Sequence, residues 1–112
     1  MTIGKLIPQP AKCESFLRSR CGFVPEASGC YVLTTFQKEV LYLGLATNLR
    51  KRMTDHLDSP EKTSPTEKGK AVLFHWVETN DINKVERTWM NIHIQHEGTL
   101  PLLNKNYSPV ST

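Results

Sequence analysis

The stretch from Gly29 to Gly44 constrains the fold more than any other part of the chain. Cys30 to Thr35 is rich in β-branched and aromatic side chains, which favours a strand. Phe36 to Lys38 is a tight connection, and Glu39 to Gly44 returns as a second strand with the apolar run VLYLG. A lone hairpin is marginal in water, so other elements must cover it. Asn48 is a good N-cap, and Leu49, Met53 and Leu57 then recur at i, i+4 and i+8, the buried stripe of a helix. Val72 to Val77 reads as a third strand. Asn80 and Asp81 cap a second long helix, about Ile82 to Glu97, whose stripe is Ile82, Val85, Trp89 and Ile92; Gly98 stops it. Upstream, Lys12 to Arg20 has helical character with Phe16 and Leu17 as the inward pair, and the Pro-flanked residues 1 to about 9 are expected to be loose. Asp58 to Gly69 is polar, carries two prolines and reads as an exposed loop. The predicted order is helix, β, β, helix, β, helix, tail.

At 112 residues the chain is one domain with room for a real core. Its longest apolar stretches, about five residues, are too short to span a membrane, and MTIGKLIPQPAK lacks an apolar core of signal-peptide length. No membrane association and a cytoplasmic location are expected. The three cysteines, Cys13, Cys21 and Cys30, form no CxxC pair, and an odd number argues against a closed disulfide set. The net charge of +3 is mild, but its placement is informative. Arg50, Lys51 and Arg52 fall together, Lys68 and Lys70 follow the polar loop, and Lys105 lies near the end; converging, they would track a phosphate backbone.

Several polar side chains stand where a reaction could use them. Tyr31 and Tyr42 lie on adjacent predicted strands and can face one pocket. Arg52 and His56, at i and i+4, point the same way from their helix, and Glu86 flanks the stripe of the last one. Singly, each is ordinary: a packed tyrosine, a surface arginine, a solvated glutamate. Together they match the needs of phosphodiester hydrolysis. A carboxylate can hold a hard divalent cation that keeps several waters. Arginine can donate two parallel hydrogen bonds to phosphoryl oxygens, a geometry lysine cannot copy. A tyrosine can deprotonate or orient water where a nearby cation favours its phenolate, and a histidine can relay the proton. A rival pairing, His93 with His96 and Glu97, has zinc-like spacing but lacks convincing further ligands, although His75 could contribute. Trp76 and Trp89 read as core.

These residues carry a resemblance. Gly29-Cys30-Tyr31 and Tyr42-Leu43-Gly44, followed by Arg52, His56, Glu86 and Asn104 in order, resemble the GIY-YIG nuclease family over about Val24 to Asn106. The resemblance implies an α+β fold, a three-stranded antiparallel sheet flanked by helices. It implies a Mg²⁺-dependent endonuclease, with Mn²⁺ able to substitute, that nicks or cleaves DNA. Its implied catalytic residues are Tyr31, Tyr42, Arg52, His56 and Glu86, with Glu86 holding the metal and Tyr31 the first choice as base. Arg50, Lys51, Lys70, Asn104 and Lys105 are the expected nucleic-acid contacts, with Asn106 the competitor of Asn104. The chain departs from the pattern in Cys30, which replaces an isoleucine or valine, and in Leu45, which stands where many relatives related to excision repair carry a lysine. Arg50, Lys51 or Lys70 would supply that cation instead. Residues 1–23 are read as an extension with a short helix, 24–107 as the nuclease domain and 108–112 as a tail. Substrate recognition would come from residues 1–25, from the loop 58–70, from a second copy, or from a targeting protein. The alternative is a catalytically weak nucleic-acid-binding module that keeps the fold.

Overall fold

In the computed structural model, which describes residues 1–104, strands β1 (Lys12–Ser15), β2 (Gly29–Thr34), β3 (Val40–Ala46) and β4 (Leu73–Glu78) form one antiparallel sheet. Its spatial order is β1-β4-β2-β3. Helices α1 (Leu49–Leu57), α2 (Pro60–Thr63) and α3 (Ile82–Glu97) complete the α+β architecture. Among the described residues no helix is long and apolar enough to cross a membrane.

The central strand β2 is buried at every position, because both faces of the sheet are covered. Side chains alternate along it. Tyr31 and Leu33, with Phe74 and Trp76 of β4, pack under Leu49 and Met53 of α1. Cys30 and Val32, with Leu43 of β3, pack under Trp89 and Met90 of α3. The β2–β3 hairpin turns at Thr35–Glu39, where Lys38 adopts a left-handed φ of 67° and donates its N–H to the Thr35 carbonyl at 2.9 Å. Leu33 pairs with Tyr42 but Thr34 pairs with Val40, so Leu41 is an extra, bulged residue. The bulge lets neighbouring Leu41 and Tyr42 both pack on the α1 face. Asn48 caps α1, its side chain accepting from the Lys51 N–H, and Gly98 ends α3 in the left-handed conformation with φ 77°.

Four expectations are corrected. The predicted helix over Lys12 to Arg20 is instead β1 followed by a 3₁₀ turn at Arg18–Phe23. So short a helix is marginal by itself, whereas the free edge of β4 offers backbone partners to Lys12–Ser15. Of its expected inward pair, Phe16 is buried and Leu17 is 56% exposed. This edge strand makes the sheet four-stranded rather than three-stranded. Residues 1–9 are not loose: Met1, Ile3 and Leu6 are buried in the α3-side cluster, and Trp89 Nε1 donates to the Pro8 carbonyl at 2.8 Å. The segment 58–69, expected as a loop, contains α2, in which Pro60 occupies a first-turn position that needs no N–H donor.

Candidate active site

Gly44 and Tyr31 face one another across β2 and β3. A Cβ on Gly44 would come within 2.5 Å of the Tyr31 Cζ and hydroxyl, so the phenol ring lies directly over the glycine backbone. Gly29 meets the same demand beneath α1: its Cβ would sit 2.8 Å from Leu49 Cδ1 and 2.3 Å from the Val77 carbonyl oxygen. The two glycines thus let α1 and the tyrosine ring close onto the sheet. Phe74 stacks on the far side of Tyr31, with centroids 5.1 Å apart and planes 10° from parallel.

Held this way, the Tyr31 hydroxyl reaches His56 Nε2 at 2.5 Å. The ring of Tyr42 closes the group, 5.9 Å from Tyr31 and 5.1 Å from His56 between centroids. Burial, then the neighbouring Tyr42, pushes the Tyr31 phenol well above its ordinary range, with Arg52 pulling the other way and Glu86 adding to the rise. Burial, then Lys62 and Arg52, lowers the His56 imidazole to about 4. At neutral pH the pair is therefore a neutral phenol hydrogen-bonded to a neutral imidazole, and in the tautomer that carries its proton on Nδ1 the phenol donates to Nε2.

Arg52 is exposed, and its guanidinium has no hydrogen bond or ion pair to another described residue. Glu86 approaches from α3, whose start is tied to the first motif by Cys30, since Cys30 Sγ donates to the Ile82 carbonyl at 3.2 Å. Burial holds that thiol protonated, pushed up to about 12. The half-buried Glu86 carboxylate likewise has no hydrogen-bond or ion-pair partner among the described residues, and burial raises its pKa. A desolvated carboxylate without a cation suits a divalent ion. No group of three or more His, Cys, Asp or Glu side chains able to hold a metal occurs among the described residues. A lone carboxylate such as Glu86 can hold a hard divalent cation only where the cation keeps most of its ligands as water.

The structure thus brings Tyr31, Tyr42, Arg52 and His56 together and sets Glu86 within electrostatic reach of Tyr31. The expected nucleic-acid contacts fare differently. Arg50 is engaged with the polypeptide itself, donating to the Val24 carbonyl at 2.9 Å, to Glu26 at 3.0 Å and to the Gly22 carbonyl at 3.3 Å. Lys51 pairs with Asp55 at 3.4 Å but stays exposed, lining with Arg52 a cleft of about 160 Å³. Lys70 lines a different cavity, with Phe16, Leu17 and Phe36. Asn104 acts as a strand would: its amide accepts from the Leu43 N–H and donates to the Leu43 carbonyl, both at 2.9 Å, pinning the middle residue of the second motif. Lys105, Asn106 and the tail at 108–112 lie outside the described residues.

Leu45 packs on the α3 face beside Ile82 and Val85. Sequence reasoning missed a cation beside Tyr42: Lys62 Nζ stands over its ring, 4.8 Å from the centroid. Ser59-Pro60, a polar N-cap candidate followed by proline, was the available signal for the short helix that carries it. The rival zinc pairing does not assemble, since His75 Nε2 bonds to Thr34 Oγ1 at 2.9 Å and His93 Nδ1 to the Thr99 carbonyl at 2.7 Å. Trp76 and Trp89 are buried, as core residues should be.

Residues 27–97, which hold both glycine–tyrosine motifs, Arg52, His56 and Glu86, match the family model of the GIY-YIG catalytic domain, and the chain belongs to that family. Among individual proteins it is similar to UvrABC system protein C. It is 28% identical to that of Dictyoglomus thermophilum over 97 residues, covering 78% of this chain and 16% of the relative. It is 32% identical to that of Prochlorococcus marinus subsp. pastoris over 54 residues, covering 48% of this chain and 8% of the relative. The chain therefore spans less than a fifth of the length of the curated relatives it matches. In structure it is similar to the GIY-YIG N-terminal endonuclease domain of UvrC from Thermotoga maritima, with a TM-score of 0.52 at 17% identity over 80% of this chain and 94% of that one. A second point mutant of the same domain, described like the first as bound to its catalytic divalent cation, gives 0.52 at 16% identity.

Proposed function

We propose that this domain is an endonuclease that hydrolyses DNA phosphodiester bonds with the help of a divalent cation, Mg²⁺ in the first instance, held by Glu86. The observation that carries the reading is the Tyr31–His56 hydrogen bond at 2.5 Å, set beside an Arg52 that has no ion pair with another described residue. A protonated phenol hydrogen-bonded to a neutral imidazole is poised for proton transfer. Tyr31 accepts the proton of an attacking water while its own proton passes to His56 Nε2. The buried phenolate, which the surroundings disfavour, then need never accumulate. Tyr42 borders both rings and orients the Tyr31 hydroxyl. Arg52 faces solvent with its fork free, where it can take the phosphoryl oxygens bidentately as charge builds on them. When bound at Glu86, the cation would supply charge neutralisation for the phosphoryl group and its leaving oxygen. A monomer with one such site nicks one strand at a time.

The test is relaxation of a supercoiled plasmid with Mg²⁺, wild type beside Glu86→Ala. Open circles from the wild type alone establish the activity and place Glu86 in it. Breakage by neither protein, on plasmid, branched DNA and RNA alike, leaves a binding module that has kept the fold.

A further inference from the structure

We propose that Lys62 is a positioning residue of this site: its ammonium holds Tyr42 from the α2 side and sets the charge felt by the Tyr31–His56 hydrogen bond. The proposal rests on reading this cluster as the reacting centre. Nothing in the two glycine–tyrosine motifs or the α1 residues specifies Lys62, which belongs to a segment expected to be an exposed loop.

The geometry is direct. α2 is a single short turn held locally, with Thr63 Oγ1 donating to the Ser59 carbonyl at 3.1 Å and Ser64 Oγ to the Pro60 carbonyl at 2.6 Å. It fixes the start of the Lys62 side chain, whose Nζ lies over the Tyr42 face at 4.8 Å, within cation–π range. The same Tyr42 ring meets His56 edge-on at 5.1 Å. Lys62 has no ion pair with another described residue, so its charge is not cancelled within the described chain. The groups facing His56 are Tyr31 from β2, Tyr42 from β3, Arg52 and Asp55 from α1, and Lys62 from α2. Asp55 pulls the imidazole towards protonation; Lys62 and Arg52 oppose it, Lys62 more strongly. Asp55 is itself paired with Lys51. Lys62 therefore favours the neutral imidazole, the state that accepts the Tyr31 proton. It also orders the one tyrosine of the pair that is only partly buried.

The decisive measurement does not need activity. The His56 Cε1–H resonance, assigned with a His56→Gln variant, is titrated by NMR in wild type, Lys62→Gln and Lys62→Arg. Lys62→Gln is expected to raise the His56 midpoint by about one pH unit, and Lys62→Arg, which keeps charge and stacking, to restore it. Plasmid nicking by Lys62→Gln should show its acid limb displaced upward by the same amount. An unmoved His56 midpoint in Lys62→Gln overturns the proposal. So does a rise in KM with an unchanged pH profile, which would make Lys62 a phosphate contact only. Should the wild type cut nothing, the nuclease reading fails, while the titration still decides whether Lys62 sets the charge at His56.

Discussion

The two faces of the sheet are equally well covered but differently made. Under α3 an apolar cluster is centred on the fully buried Trp89 with Leu6, Val32 and Leu43, and the polar groups buried on that side pair locally, His75 with Thr34 and His93 with the Thr99 carbonyl. Under α1 the same depth of burial holds Tyr31, and His56 lies only 8% exposed beside it. Burying a phenol and an imidazole costs desolvation that their mutual hydrogen bond helps to offset. The α3 side thus buries its histidines apart from the tyrosines, whereas the α1 face joins an imidazole to the tyrosine pair.

That contrast breaks most sharply under substitution. Trp89→Ala should lower unfolding free energy by about 3–5 kcal/mol, a large share of the total for a small domain, and abolish cleavage by unfolding. Tyr31→Phe should cost about 1–2 kcal/mol, for the hydroxyl and the His56 acceptor left unpaired. It should nonetheless slow plasmid nicking by about 10²- to 10⁴-fold, as loss of a group that moves a proton does. Urea unfolding and nicking, measured together on both variants, check the pair. A Tyr31→Phe protein as active as wild type would return the α1 face to the status of ordinary core.

Both sides also hold buried histidines, His56 on the α1 side and His75 and His93 on the other, and acid should find all three. Burial is the main cause that lowers His56 and His75 from 6.5 to about 4, and it lowers His93 as well. Below 6.5 the unfolded chain binds protons that the folded chain refuses until about 4. Stability is therefore complete above the upper value, falls as pH drops through the window, and levels off below it. Glu86 works in the opposite sense, because its raised pKa makes the ionised carboxylate the disfavoured form. His56 and His75 should each remove about 2 kcal/mol between about pH 7 and pH 5, read as a shift in urea midpoint. His75→Gln, which keeps a partner for Thr34, should reduce that slope without altering nicking near neutrality.

Much of this division can be read from the chain. The hairpin, α1, β4 and α3 follow from alternation, from the Asn48 cap and from Gly98. The site is legible because glycine and tyrosine must alternate there: Tyr31 needs the missing side chain of Gly44. β1 is not legible, since its strand character comes from the open edge of β4 and not from its own KCES. The N-terminal residues resist reading for a similar reason: Met1, Ile3 and Leu6 are too sparse to show a period and are buried only because the α3 face has room for them. Lys62 escapes because cation–π placement depends on where α2 lands, a tertiary fact.

The finest form of the comparison lies within α1. Arg50 and Arg52 are two residues apart, so their side chains leave the helix about 200° apart, on opposite flanks of the buried stripe. Sequence alone treats them as one basic patch. Arg50 turns towards residues 22–26 and ties that connection to the helix through two carbonyls and Glu26, while Arg52 faces solvent with no ion pair to another described residue. Arg50 is partly exposed, so its ion pair with Glu26 is screened, and the hydrogen bond to the Val24 carbonyl carries most of its worth. Arg50→Ala should accordingly cost only about 1 kcal/mol, seen as a small drop in urea midpoint, with nicking at neutral pH unchanged. Arg52→Ala should leave the midpoint in place and lower the nicking rate. If Arg50→Ala instead weakens DNA binding and makes it less sensitive to salt, Arg50 releases Glu26 to meet phosphate, and the two flanks of α1 form one DNA-facing surface.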